Sequence, residues 1–173
     1  WDPDGNGPEF TNAELLRIQG IWQRVAADFS AFDVNVTTED PGEDALVNVG
    51  SSDDRWGIRV VFTGDDFPFP GSGGVAFIDS FNWGYDTPGG TDTPAYVFNL
   101  GEVVAAGAAS HEIGHSLGLS HDGTTSAHPF WPNQEYYPGH GFGENGWGPI
   151  MGVGGYYHNV TTWDEGVYFA SSN

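Results

Sequence analysis

Between residues 111 and 121 the chain reads His111-Glu112-Ile113-Gly114-His115-Ser116-Leu117-Gly118-Leu119-Ser120-His121, and this stretch restricts the fold more than any other. Two histidines four apart on a helix lie one above the other on one face, so His111 and His115 can offer imidazole nitrogens to a single metal ion. Zn²⁺ is the natural candidate. Glu112 stands one residue along, where its carboxylate can approach a water on the metal without binding the metal itself, the position of a general base. Three histidines at this spacing cannot all face one ion if the helix simply continues to residue 121. Gly118 can take up a left-handed backbone conformation without a Cβ clash, end the helix and turn the chain so that His121 swings back toward the other two. Three protein ligands leave the fourth tetrahedral position of Zn²⁺ open to water, which distinguishes a catalytic site from a closed structural one. Such an ion lowers the pKa of its water from about 15.7 to about 7, and Glu112 is placed to take the proton.

The complete HExxHxxGxxH pattern resembles that of the metzincin zinc endopeptidases. The local text is most similar to the serralysin type from bacteria, whereas Asp122 directly after the third histidine resembles the adamalysin or reprolysin type, in which an aspartate there braces the lower part of the site. Both subfamilies stay open. The resemblance extends to the single methionine, Met151 in Gly148-Pro149-Ile150-Met151-Gly152, thirty residues beyond His121, where a metzincin has the turn that supports its metal from below. It covers residues 57–152 and implies a zinc-dependent endopeptidase: His111, His115 and His121 as ligands, Glu112 as base and then proton shuttle, Met151 beneath the site and Asp122 beside it. The implied fold is the α/β (α+β) zincin-like catalytic domain, a twisted mixed sheet with a backing helix, an active-site helix and an irregular C-terminal part. Several metzincins carry a tyrosine two residues after the methionine. Val153 stands there, and Tyr156 or Tyr157 can reach the site only along a displaced path. The alternative from another class is a catalytically silent, metal-stabilised binding or adhesion module derived from a protease. The intact Glu112 argues against it, since a pure binder has no need of a carboxylate beside the metal.

At 173 residues the chain is the length of one domain with a real hydrophobic core, expected here to have an upper part at about 1–118 and a lower part at about 119–173. It has no cysteine, so neither disulfides nor thiolate ligands hold it. The 24 acidic residues stand against four arginines and no lysine, a formal net charge of −20. That field repels nucleic acid and anionic membrane surfaces, so neither is expected as a partner, and it suits either salty surroundings and solubility or the attraction of cations and basic substrates. No stretch approaches the roughly 18 to 20 apolar residues of a membrane span. Trp1 is not an initiator methionine, so either a removed signal or propeptide or a trimmed chain is expected, and the metzincin resemblance implies export to the extracellular space. The expected partner is a protein or peptide substrate, and the expected state is a monomer.

Along the chain, Asp2, Asp4 and Asn6 place oxygen-bearing side chains at alternate positions before a glycine, like the first half of a calcium loop. Ala13 stands where the closing glutamate belongs, so Ca²⁺ competes here with an ordinary Asp/Gly/Pro turn. Thr11-Asn12-Ala13-Glu14 reads as a capping box opening a long amphipathic helix at about 12–29, with Leu15, Ile18, Ile21, Trp22, Val25 and Phe29 as its core stripe. A strand before this helix, usual in metzincins, is not evident. Strands are expected at 32–38, 57–63, 75–81 and 95–100, with a short element at 45–49, a loop at 64–74 and the active-site helix at 102–117. The strand at 75–81 occupies the place of the antiparallel edge strand along the metzincin cleft, to which an extended substrate can add. Gly74, Val75 and Ala76 are therefore expected near the substrate backbone, unless the 82–94 loop covers that edge. His128, His140 and His158 are expected to be surface or supporting histidines rather than ligands.

Overall fold

The computed structural model describes residues 5, 7, 9–85, 93–157 and 160–172, without the side chains of 84, 85, 156 and 157. Two compact units are distinguished, Trp1–Gly118 and Leu119–Asn173.

The first unit opens with α1 (Asn12–Asp28), which begins where the capping box requires. The Thr11 amide donates to Glu14 Oε2 at 2.8 Å, and the Glu14 amide donates to Thr11 Oγ1 at 3.3 Å, so two amides at the helix start are satisfied reciprocally. Ile21, Val25 and Phe29, spaced by four, are buried. Leu15 and Trp22 are not part of that stripe, contrary to the sequence expectation. They lie on the outer flank with Ile18 and Gln19, and with Thr37 and Thr38 they line a shallow cavity of about 360 Å³. The Trp22 indole donates to the Val36 carbonyl at 2.8 Å. That contact holds the 32–38 segment against α1, and the strand expected there does not form.

The sheet of this unit has the order β1 (Val60–Phe62), β3 (Ala95–Val97), β2 (Gly74–Val75). β1 runs parallel to β3 with Val61 opposite Tyr96, and β2 runs antiparallel to it with Gly74 opposite Val97. β3 alternates as a half-buried strand must: Ala95 and Val97 are buried and Tyr96 between them faces out. All three strands are shorter than expected. The ladder of β2 stops at Val75; Asp79 further on takes a left-handed conformation, φ 63°, and 3₁₀ turns follow at Ser80–Tyr85. At Glu43–Ala45 a 3₁₀ turn stands in place of the short element expected at 45–49.

α2 (Glu102–Ser116) packs on both α1 and β3. Ala105, Ala106, Ala108 and Ala109 are all buried, and their small size permits this close approach on two sides. The Ser110 hydroxyl donates to Asp28 Oδ2 at 2.6 Å, and Arg24 pairs with Glu102 at 3.1 Å, so α1 and α2 are joined by one buried hydroxyl and one exposed ion pair. Among the described residues, no helix is long and apolar enough to cross a membrane.

The second unit is built from short ladders, as its Gly, Pro and aromatic content leads one to expect. β4 (Gly123–Thr124) pairs antiparallel with β7 (Ser171–Ser172), and β5 (Trp147–Pro149) pairs parallel with β6 (Val160–Thr162). A single helical turn, α3 (Gly154–Tyr157), lies between β5 and β6. The rings of Tyr137 and Tyr168 stack with centroids 4.3 Å apart, and the Tyr168 hydroxyl donates to the Gly123 carbonyl at 2.6 Å. Through Tyr168 and β7 the C-terminal segment docks on its own unit.

Candidate metal centre

α2 carries His111 and His115 on one face, with ring centroids 4.7 Å apart and ring planes nearly perpendicular. The helix ends where a left-handed glycine was expected. Leu117 is its C-cap, and Gly118 has φ 92°, a conformation that favours a residue without a Cβ. The amide of Gly118 and the amide of Asp79 both donate to the His115 carbonyl, each at 2.9 Å. Asp79 was not singled out in the sequence. Its amide joins the segment following β2 to the last turn of α2.

After this turn the chain returns His121 to the other two histidines: the ligand atoms of His111, His115 and His121 all lie within 4.8 Å of one another. His115 is buried, and the other two are partly accessible. Three neutral imidazoles are the donor set that Zn²⁺ favours, and no fourth side chain belongs to the group among the described residues. The three histidines present therefore fit a zinc ion.

Glu112 lies on the same helix and is only 6% exposed. Burial raises its carboxyl to about 7, in the range that suits exchange of a proton near neutral pH. Gly74 of β2 closes one side of it: a Cβ at this position would meet the Glu112 side chain. The structure thus brings Gly74, one of the three residues expected along the cleft strand, directly to the carboxylate. Among the described residues β2 is an edge of its sheet, and Val75 and Ala76 are partly accessible.

In the second unit, the Asp122 amide donates to the Met151 carbonyl at 2.9 Å, and both residues are 3% exposed. The residue after the third histidine and the methionine turn are thereby joined through the main chain. Asp122 Oδ2 is enclosed and has no hydrogen-bond partner among the described residues. Burial, and then the charge of Asp164, push the Asp122 carboxyl up to about 6. His121 Nδ1 lies 3.0 Å from Glu135 Oε1, and the His121 ring packs against Tyr136. Neither Glu135 nor Tyr136 is marked by any motif.

His128 Nδ1 accepts the amide of Trp131 at 3.0 Å, and His140 Nδ1 lies 3.2 Å from the Tyr137 hydroxyl. Both belong to the aromatic cluster of the second unit. His158, together with Asp2, Asp4 and Asn6 of the calcium expectation, lies outside the described residues, as do the side chains of Tyr156 and Tyr157.

Comparison with family models gives a match to the metallo-peptidase family M12B, reprolysin-like, over residues 28–122. That span is just over half of the chain and runs from the end of α1 through the three histidines to Asp122. Searches of curated proteins and of solved structures found no match. The chain belongs to the reprolysin-like metallo-peptidases, and its mixed α/β architecture and three-histidine cluster fit a metzincin zinc metallopeptidase.

Proposed function

We propose that residues 1–173 form one catalytic domain of an exported zinc endopeptidase in which Glu112 is the general base. The observation that carries the reading is the convergence of three imidazoles with one buried carboxylate on the same helix. His111, His115 and His121 hold the ion. Zn²⁺ bound there supplies a Lewis acid that acidifies water and polarises the scissile carbonyl. Glu112 accepts the proton of the attacking water and then delivers it to the amine nitrogen that leaves.

The substrate backbone adds to the edge formed by Gly74, Val75 and Ala76. Support for this placement comes from the contact of Gly74 with Glu112, which sets the edge beside the base. An added strand takes its affinity from main-chain hydrogen bonds, so the chain must be bound extended. Met151 and Asp122 support the site through their shared hydrogen bond, and Ca²⁺ is proposed for Asp2, Asp4 and Asn6 on their alternating oxygen donors. Export belongs to the same reading and rests on the family resemblance, and a monomeric state is proposed with it.

Casein zymography tests the reading. A cleared band that a chelator abolishes and added zinc restores is the expected outcome. One zinc bound per chain with no hydrolysis of any denatured protein would instead describe a metal-stabilised binding module.

A further inference from the structure

His111 and His115 are held by a helix, whose backbone restricts the rotamers open to each imidazole. His121 follows the Gly118 turn and has no such frame. A ligand on a loop needs its restraint from elsewhere, and the second unit provides one.

Residues 121–124 run beside residues 134–137. The Tyr137 amide donates to the Asp122 carbonyl at 2.6 Å, and the Thr124 amide donates to the Gln134 carbonyl at 2.8 Å. The Gln134 amide donates in turn to Thr124 Oγ1 at 3.0 Å. Gly123 lets the two segments close up, since a Cβ there would lie 2.5 Å from the Gln134 carbonyl oxygen and 2.8 Å from that of Glu135. This pairing carries Glu135 and Tyr136 to His121. Glu135 Oε1 comes within 3.0 Å of Nδ1, and the Tyr136 ring centroid sits 4.1 Å from that of the imidazole.

An ionised carboxylate only accepts hydrogen bonds, so a neutral His121 in this contact carries its hydrogen on Nδ1 and its lone pair on Nε2. We propose that Glu135 is a positioning residue of the metal centre, which fixes His121 in the Nδ1–H tautomer and presents Nε2 as the metal donor while Tyr136 limits rotation of the ring. The proposal rests on the zinc reading above and adds to it how the loop ligand is oriented. Glu135 is largely exposed, and an exposed pair of this kind does little for folding by itself. Its effect belongs to the ion, where a carboxylate behind a ligating imidazole is worth about 10–100-fold in metal affinity.

The experiment is a zinc-affinity measurement by competition with a chromophoric chelator, on the wild-type protein, Glu135→Ala and Glu135→Gln, with thermal melting of each zinc-free form. The wild-type chain should bind one zinc. Glu135→Ala should bind it about 10–100-fold more weakly, with an unchanged zinc-free melting temperature. Glu135→Gln should recover most of the loss, because the amide oxygen can still accept from Nδ1–H. Equal zinc affinity in Glu135→Ala and wild type overturns the proposal. So does a loss that Glu135→Gln fails to recover, or one that tracks a lower zinc-free melting temperature. Failure of the wild-type chain to bind zinc at all contradicts the metal reading beneath the proposal, a result distinct from these.

Discussion

A Cβ on Gly74 would lie 2.7 Å from Cγ of Glu112 and 2.8 Å from its Oε1, so bare backbone of the edge strand forms one wall around the proposed base. The same Cβ would come within 2.6 Å of the Tyr96 carbonyl oxygen, a backbone atom of the central strand. Of the two neighbours, only the Glu112 side chain can move.

Gly74→Ala should therefore displace the carboxylate or open the β2–β3 ladder. Overpacking of this kind costs about 1–3 kcal/mol of stability, and misplacing a catalytic group by about 1 Å can lower the rate about 100-fold. A drop of about 10–100-fold in kcat/KM is expected. The zinc content should be unchanged, because the atoms that a Cβ at Gly74 would meet first belong to Tyr96 and Glu112 and not to the three histidines. Wild-type kcat/KM in this variant would mean that the strand does not position Glu112.

Burial raises the Asp28 carboxyl above its ordinary value of 3.8, opposed by the Ser110 hydrogen bond and the charge of Arg24. The folded chain then holds this proton more tightly than the unfolded chain, so stability falls as pH rises from 3.8 toward the raised value and stays lower beyond it. Asp28→Asn removes that slope while its amide oxygen still accepts from Ser110. Urea unfolding across the acid range should show the variant losing less stability than wild type as pH rises, and being at least as stable at neutral pH. A variant markedly less stable at neutral pH would show that the charge itself joins α1 to α2.

Thr11→Ala deletes the capping side chain while leaving the rest of α1 in place. A loss of about 1 kcal/mol in urea unfolding is expected, with zinc affinity unaffected. No change in the unfolding midpoint would mean that the box is not needed for the helix to start there.

The two long helices and the metal motif were legible because their signals are local. Capping at Thr11 and Glu14, the four-residue spacing of His111 and His115, and the helix stop at Gly118 are all written within a few residues. Strands depend on partners far along the chain, and there the reading failed in identifiable ways. Residues 32–38 have strand composition, yet the Trp22 indole takes the Val36 carbonyl and no ladder forms. The run at 75–81 looks continuous, yet its ladder ends at Val75 and a left-handed turn at Asp79 follows. Nor could periodicity tell the buried face of α1 from its flank, since Leu15 and Trp22 fit the same helical spacing as Ile21 and Val25. Glu135 was invisible for a related reason: it meets His121 across fourteen residues, through a backbone pairing that Gly123 permits.

Glu112→Ala tests the central claim most directly, with zinc content and casein hydrolysis measured on the same preparation. One zinc per chain should be retained, since three imidazoles hold the ion without Glu112, and hydrolysis should fall to background. Casein hydrolysis at the wild-type rate by the zinc-loaded variant would contradict the account.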